Sequence, residues 1–138
     1  MVHDQTKIHK VLEGLNSPWG GAAHCYGSWE VKKHAILDDV LIVLVEKQSY
    51  CDDGIEFPYH PGWYDKENYF VIYRINKKKE YKEVVKSEYY KHADQESRHS
   101  YPSECFEEIL NVNKTGKQVS ITVKTKEGKS RVIPIILK

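Results

Sequence analysis

Long apolar runs are missing from this sequence. The longest uninterrupted one is Val40 to Val45, whereas a helix that crosses a membrane needs about 18 to 20 apolar residues. The opening segment, Met1 to Lys10, also has no apolar core of the length found in signal peptides. We therefore expect a cytoplasmic protein that has no membrane partner.

Cysteine is scarce, and the three residues in the chain are Cys25, Cys51 and Cys105. They lie far apart in the sequence and form no CxxC pair. Because their number is odd, any scheme of disulfide bonds leaves one thiol over. These features favour the reducing cytosol over secretion.

Recognised catalytic motifs are absent too. The chain has no glycine-rich phosphate loop, no GxSxG elbow and no HExxH zinc motif. Its seven histidines and three cysteines show no metal-ligand spacing on a defined helix or strand. We therefore predict no metal site and no cofactor, and we expect binding rather than catalysis.

What the chain does have is the composition of one globular domain. It contains 138 residues, of which 40% are hydrophobic and 30% are charged, and its net charge is +1. This length suits one domain rather than two, and this composition excludes a disordered polymer. We predict a single domain over residues 1–138.

An N-terminal helix is predicted over Thr6 to Leu15. Its apolar residues recur at the spacing of one helical face, and they are Ile8, Val11, Leu12 and Leu15. Asp4 is a suitable cap for the first turn. A second, short helix is predicted near residues 103–110, because Ser103 can cap it and glutamates follow in its first turn.

Strand patterns dominate the remainder of the chain. Predicted strands cover Trp29 to Leu37, Val40 to Lys47, Tyr69 to Ile75, Tyr81 to Tyr90 and the two halves of a hairpin around Lys126 to Gly128. The run Val40 to Val45 does not alternate between apolar and polar residues, which indicates a central strand covered on both faces. Residues 50–67 are predicted to form a long irregular loop, and residues 92–101 a polar linker.

The last hairpin has the clearest pattern. The apolar residues of Val119 to Val123 alternate with polar ones, and Lys126 to Gly128 suits a three-residue turn. This register places Val123 opposite Arg131 and predicts that the apolar residues of both strands share one face. Pro134 cannot donate a ladder hydrogen bond, so its strand must have an unpaired side or a bulge there.

Tight turns join most of the predicted strands, which is typical of an antiparallel sheet. The predicted fold class is therefore α+β: a strongly bent antiparallel sheet or open barrel of about six strands, with the N-terminal helix and the short helix near 103–110. The edge of the final strand would also allow pairing with another copy of the chain, so a homo-oligomer is one of the expected states.

Charged and aromatic residues are unevenly distributed. Residues 68–91 carry 7 basic and 3 acidic groups, and residues 114–138 carry 7 and 1, so both predicted hairpins are basic and suit an acidic or phosphate-bearing partner. Residues 50–67 contain a dense aromatic stretch, Phe57 to Tyr64, and such side chains are effective contact residues at interfaces. A loop of this length is typical of a recognition element.

We therefore predict a small binding or inhibitor-type protein, of the immunity or phage counter-defence kind, that recognises a protein partner and acts by occupancy. The predicted binding residues are Tyr59, His60, Trp63, Tyr64, Arg74 and Arg131. The aromatic residues would anchor the partner, and the arginines would pair with its carboxylate or phosphate groups.

Two alternatives stay open. The basic hairpins and the tyrosines also suit a nucleic acid, a nucleotide or another phosphate ligand. An enzyme is the second alternative, with Cys25 as a thiol nucleophile or with a nuclease-like set of Asp65, Glu80 and Lys82. The spacing of that set loosely follows the metal-binding carboxylates and lysine of the PD-(D/E)xK pattern.

Overall fold

The structure is a computed structural model that describes residues 3–20, 25–51, 63–87, 90–94 and 105–137. Within these ranges the chain forms helix α1 (Gln5–Leu15) and strands β1 (Ser17–Gly20), β2 (Cys25–Leu37), β3 (Val40–Cys51), β4 (Trp63–Ile75), β5 (Tyr81–Lys86), β6 (Tyr90–Asp94), β7 (Phe106–Thr115), β8 (Gln118–Thr125) and β9 (Ser130–Ile136). No helix in this part of the chain has the length and apolarity that crossing a membrane requires.

The strands form two antiparallel sheets. Sheet A has six strands in the order β1-β2-β3-β4-β5, with β6 also paired to β4, and sheet B has three strands in the order β7-β8-β9. The predicted antiparallel α+β class is confirmed in outline. The strands do not form one bent sheet or open barrel, because sheet B is a separate layer that packs on sheet A. The predicted count of about six strands agrees with sheet A alone.

The helix predicted near 103–110 is also wrong, since residues 106–110 belong to β7. Phe106 is fully buried, and the residues after it pair with β8. Glutamates in the first turn of a helix contribute less than about 1 kcal/mol. The backbone of β8, in contrast, needs ladder partners on both edges if its apolar residues are to be buried. Tertiary pairing therefore outweighs the local preference for a helix.

Strand β3 separates two apolar clusters. The even-numbered residues of Val40–Val45 pack against sheet B, and the odd-numbered residues face α1. All six side chains are at most 2% exposed. The absence of alternation in this run thus has the predicted cause, because β3 is a central strand and both of its faces are covered.

Helix α1 forms the third layer, on the face of sheet A opposite to sheet B. The carboxylate of Asp4 caps it by accepting hydrogen bonds from the backbone N–H groups of Thr6 at 2.8 Å and Lys7 at 3.4 Å. Ile8 is buried against the odd-numbered residues of β3. The predicted N-terminal helix is confirmed and begins one residue earlier, at Gln5.

The segments predicted as loop and linker are partly strand. β3 continues to Cys51 and β4 begins at Trp63, so the ladder between them extends well past the apolar core. Residues 90–94 form β6, which pairs with the first half of β4. These extensions mix polar, charged and aromatic residues without a regular alternation, so apolar periodicity does not mark them as strands. Residues 52–62 and 95–104 lie outside the described ranges.

The C-terminal hairpin has the predicted register. Val123 lies opposite Arg131, and the alternating apolar residues of β8 and β9 are buried against sheet A. Gly128 in the turn has a φ of 95°, a conformation that favours glycine.

Pro134 lies where its missing N–H leaves the ladder intact. The N–H of Leu137 donates to the carbonyl of Lys117, and bonding positions alternate along an antiparallel strand. The odd-numbered residues of β9 therefore bond to β8, and Pro134 turns its backbone toward the other side of β9. No described strand pairs with that side, which agrees with the predicted unpaired edge.

Candidate functional site

Helix α1 covers only part of sheet A, and a groove opens where the helix ends. Its volume is about 190 Å³, and it is lined by Gly14, Leu15, Ser17, Trp29, Val45, Tyr69 and Val71. These residues belong to the helix and to four strands of sheet A. The groove is therefore a product of tertiary structure and not of one local motif.

The end of α1 shapes one side of the groove. Gly14 presents no side chain, and a Cβ placed there would have no neighbour within 4 Å. The helix stops at Asn16, whose N–H donates to the carbonyl of Glu13. The side-chain oxygen of Asn16 accepts a hydrogen bond of 2.7 Å from the N–H of Val31. This bond fixes the helix end to β2 and keeps the groove open beside it.

An aromatic pair lines the groove on the sheet side. The ring centroids of Trp29 and Tyr69 lie 5.3 Å apart, and the rings are inclined by 34°, which is a favourable aromatic contact. Val45 and Val71 add apolar surface beside them. A ligand in the groove would therefore contact aromatic and branched aliphatic side chains.

Charged groups of both signs lie next to this aromatic pair. The hydroxyl of Tyr69 donates to Glu67 Oε2 at 2.7 Å, and Lys47 Nζ lies 5.3 Å from the centre of the Trp29 ring. Lys47 is opposite Trp29 in one ladder and opposite Glu67 in the next. One row across three strands thus carries an indole, an ammonium group and a carboxylate.

A wider depression continues from the groove. It has a volume of about 580 Å³ and is lined by Asn16, Ser17, Ser28, Trp29, Glu30 and Val31. Ser17 and Trp29 line both spaces. An extended ligand anchored in the groove can therefore continue across Trp29 along the edge of the sheet.

The volume of the groove limits its ligand. A cavity of about 150 Å³ accommodates benzene, whereas pockets for drug-sized molecules measure about 300–1,000 Å³. The groove of about 190 Å³ is therefore suited to one aromatic or branched aliphatic side chain.

Two of the four predicted residues of the aromatic stretch, Trp63 and Tyr64, fall at one end of sheet A. Tyr59 and His60 lie outside the described residues. Trp63 and Tyr64 begin β4, with their backbones opposite Cys51 and Tyr50. These two residues therefore lie at the end of the β3–β4 ladder.

The two predicted arginines have different neighbours. Arg74 Nε lies 3.2 Å from Asp39 Oδ2. The guanidinium of Arg131 lies over the Phe106 ring, 5.6 Å from its centre, and that ring contacts Phe70. Because Phe70 and Arg74 are four residues apart on one strand, about 13 Å separates these places. Each arginine therefore has its own neighbour, a carboxylate for Arg74 and an aromatic ring for Arg131.

Part of the basic charge of the two hairpins lies at turns, and part of the β9 surface is apolar. Lys79 is in the turn before β5, where its carbonyl accepts a hydrogen bond from Lys7 Nζ, and Lys129 pairs with Glu127 at 3.5 Å. On the outer face of β9 the exposed side chains include Val132 and Ile136, each 62% exposed. Much of the basic charge therefore lies at turns, where lysines commonly remain solvated.

The candidate catalytic groups are not assembled either. Asp65 pairs with Ala93, whereas Lys82 pairs with Arg74, and nine residues of β4 span about 30 Å. The backbone of Cys25 lies opposite that of Cys51. The two cysteines are far apart in the sequence, and only the β2–β3 ladder makes them neighbours. No group of three or more histidine, cysteine or acidic residues suited to a metal ion occurs in the described part of the chain.

Two tyrosines near the start of α1 are harder to ionise than usual. Burial, and next the negative charge of Glu83, raise the pKa of Tyr73. Burial is also the main cause of the raised pKa of Tyr81, and the charge of Asp4 adds to it, while a hydrogen bond with the backbone of Asp4 acts in the opposite direction. The hydroxyl of Tyr81 lies 2.6 Å from His3 Nδ1. Both phenols stay neutral near pH 7.

Sequence reasoning missed Trp29 and Tyr69 as site residues. The only signal is the presence of two aromatic residues in separate strand patterns, which fits an ordinary sheet face equally well.

Comparison with protein-family models, with curated proteins and with solved structures finds no match to this chain.

Proposed function

We propose that this protein works by binding a polypeptide partner and that it seats one aromatic side chain of that partner in the groove at the end of α1. The observation that supports this most is the Trp29–Tyr69 pair, which lines a space of about 190 Å³. In protein interfaces a few large side chains in such pockets supply most of the binding energy. A phenylalanine ring is of the right size and chemistry.

Lys47 and Glu67 would orient the partner. They lie beside the aromatic pair and carry opposite charges. Charged groups at the border of an apolar contact affect specificity and the rate of association more than affinity. A partner with carboxylate and ammonium groups on either side of its aromatic anchor would match this arrangement.

The predicted recognition loop belongs to the same proposal. Cys51 and Trp63, which flank residues 52–62, lie opposite each other. Lys47 is four residues from Cys51 along β3, or about 13 Å. We propose that Tyr59, His60 and their neighbours add to the contact made at the groove. A larger contact area would let the protein cover its partner's surface and inhibit it by occupancy.

A nucleic-acid partner is the weaker candidate. It would use the basic turns, and binding would then fall steeply with salt and be lost in the Lys124→Glu, Arg131→Glu double variant. If the partner binds at the groove, neither added salt nor the double substitution should change its affinity much, because the main contact there is apolar.

A direct test uses N-acetyl-L-phenylalanine amide as the probe. At about 0.3 kcal/mol for each of its roughly 15 heavy atoms, the expected dissociation constant is about 0.5 mM. In a titration of ¹⁵N-labelled protein, the Trp29 indole and the backbone amides of Val45 and Tyr69 should shift. N-acetyl-L-alanine amide, which lacks the ring, should leave these signals unchanged.

Gly14 offers a matched pair of variants. Gly14→Leu places a side chain where there is open space beside the groove, and both leucine and alanine favour a helix over glycine by up to about 1 kcal/mol. Gly14→Leu should therefore fold and lose the probe, whereas Gly14→Ala should fold and keep it. Equal binding by the two folded variants would contradict the proposal.

A further inference from the structure

The contact between the two sheets is polar at one end. Glu46 on β3 and Asn68 on β4 are directly opposite each other, and both are 0% exposed. Glu46 is two residues after Leu44 and Asn68 is two residues before Phe70, so both lie on the strand faces that pack against sheet B. Two buried polar side chains therefore take the place that apolar residues occupy along the rest of this face.

The carboxylate of Glu46 is only partly satisfied by its neighbours. Its Oε1 accepts a hydrogen bond of 2.8 Å from Gln48 Nε2 and lies 3.4 Å from Lys66 Nζ. Its Oε2 is buried, has no hydrogen-bond partner and lies 3.8 Å from Lys32 Nζ. A separation of that size is an ion-pair contact and is too long for a direct hydrogen bond, so Oε2 has a charged neighbour but no donor.

The orientation of the Asn68 amide is fixed by sheet B. Asn68 Oδ1 accepts a hydrogen bond of 3.1 Å from the N–H of Phe106, so a rotated amide would direct a donor at a donor. The Nδ2 group must therefore be the donor, and it is buried without a hydrogen-bond partner. The site contains one unsatisfied donor and one unsatisfied acceptor on facing residues.

We propose that an ordered water molecule binds between these side chains. It accepts hydrogen bonds from Asn68 Nδ2 and Lys32 Nζ, and it donates one to Glu46 Oε2. Three polar partners are the usual number for a buried water, and unsatisfied buried polar groups in native proteins generally require such an explanation.

The chemistry of the site favours water over an ion. A metal ion would face the donor group of Asn68 and the ammonium group of Lys32, and an anion would face the carboxylate of Glu46. A neutral molecule that both accepts and donates hydrogen bonds meets all three groups. Full burial of both Glu46 and Asn68 selects the smallest such molecule.

This water would connect the two sheets. Asn68 holds the backbone of Phe106 at the start of β7, and Lys32 lies 3.8 Å from Glu107 Oε2 on the same strand. One water bonded to Asn68 and Lys32 would therefore join two places at which polar groups of sheet A meet β7. It acts as an internal bridge between the layers.

The wild-type protein provides the first test. In ¹⁵N-edited NOESY and ROESY spectra, the Nδ2 protons of Asn68 should show cross-peaks to water, with NOE and ROE of opposite sign, as a long-lived bound water gives. Absence of these cross-peaks, or a crystal structure in which Asn68 Nδ2 bonds directly to Glu46, would overturn the proposal.

A pair of variants locates the water. Magnetic relaxation dispersion counts long-lived water molecules, and Asn68→Leu should contain one fewer than Asn113→Leu, which makes the same change at an exposed position of β7. Equal counts in the two folded variants would overturn the proposal. If Asn68→Leu does not fold, the wild-type spectra still decide the question.

Discussion

Replacement of Ile8 by alanine is expected to weaken the packing of α1 on sheet A. Ile8 is 1% exposed and is the buried residue of this helix. Its neighbours in the cluster are Leu41, Val43, Val45 and Val71, which sit in the central strands. Because those strands are held by ladders on both sides, they cannot close fully over the space left by the substitution.

The expected loss of stability follows from the size of the deletion. Isoleucine to alanine removes three carbon atoms, which at about 0.8 kcal/mol for each buried CH₂ corresponds to about 2.4 kcal/mol. If about 50 Å³ of the space persists, a cavity term of about 24 cal/mol per Å³ adds roughly 1 kcal/mol. The total of about 3–4 kcal/mol is a large part of the 5–15 kcal/mol that stabilises typical domains.

Urea unfolding of both proteins, followed by tryptophan fluorescence, measures this loss. With a slope of about 2 kcal/mol per molar urea, the midpoint should fall by roughly 1.5–2 M. Ile36→Ala is the matched control, because Ile36 is 41% exposed, and it should cost about 1 kcal/mol. Equal losses in the two variants would refute the docking of α1 through Ile8 and, with it, the helix side of the groove.

Two further substitutions test the titration and the free edge. Burial raises the pKa of Tyr73, so ionisation of this phenol favours the unfolded chain. Its contribution to stability is complete below pH 10 and is lost as the pH rises through the folded-state pKa. Tyr73→Phe should therefore lose less unfolding free energy than wild type between about pH 9 and 11, and equal losses would contradict the assignment. Pro134→Thr restores an N–H on the unpaired side of β9, where it can pair with a strand of another copy. Self-association measured by sedimentation velocity should increase, and the urea midpoint should stay the same. Unchanged association would show that this edge is protected by other means.

The elements predicted correctly are those with a strong local pattern. Helix α1 has a cap and one apolar face, the C-terminal hairpin alternates around a glycine turn, and the unbroken apolar run Val40 to Val45 identifies the central strand. In each of these the periodicity of the sequence and the burial in the structure have the same cause, since one face or both faces must be covered.

The division into two sheets was not predictable in the same way. It depends on β7, whose glutamate-rich beginning favours a helix locally but pairs with β8 in the fold. The extensions of β3 and β4 lack alternation between apolar and polar residues and are strands because they continue an existing ladder. Such pairings are long-range interactions, which local propensity does not encode.

The candidate site depends even more on tertiary structure. Trp29 and Tyr69 become neighbours through the ladders of sheet A, and the groove beside them exists because α1 ends at Gly14 and Leu15 while the sheet continues. The arginines predicted as binding residues are an example of residues that share a charge but have different neighbours in the fold. Arg74 and Arg131 were grouped by charge, and the fold gives each a separate partner.

The groove proposal is tested most directly by locating the ring of bound N-acetyl-L-phenylalanine amide. A half-filtered NOESY spectrum of ¹³C-labelled protein with the unlabelled probe should show contacts from the phenyl protons to the methyl groups of Val45 and Val71, which line the groove. Contacts to Val132 and Ile136 on the exposed face of β9, with none to the two valines, would contradict the account.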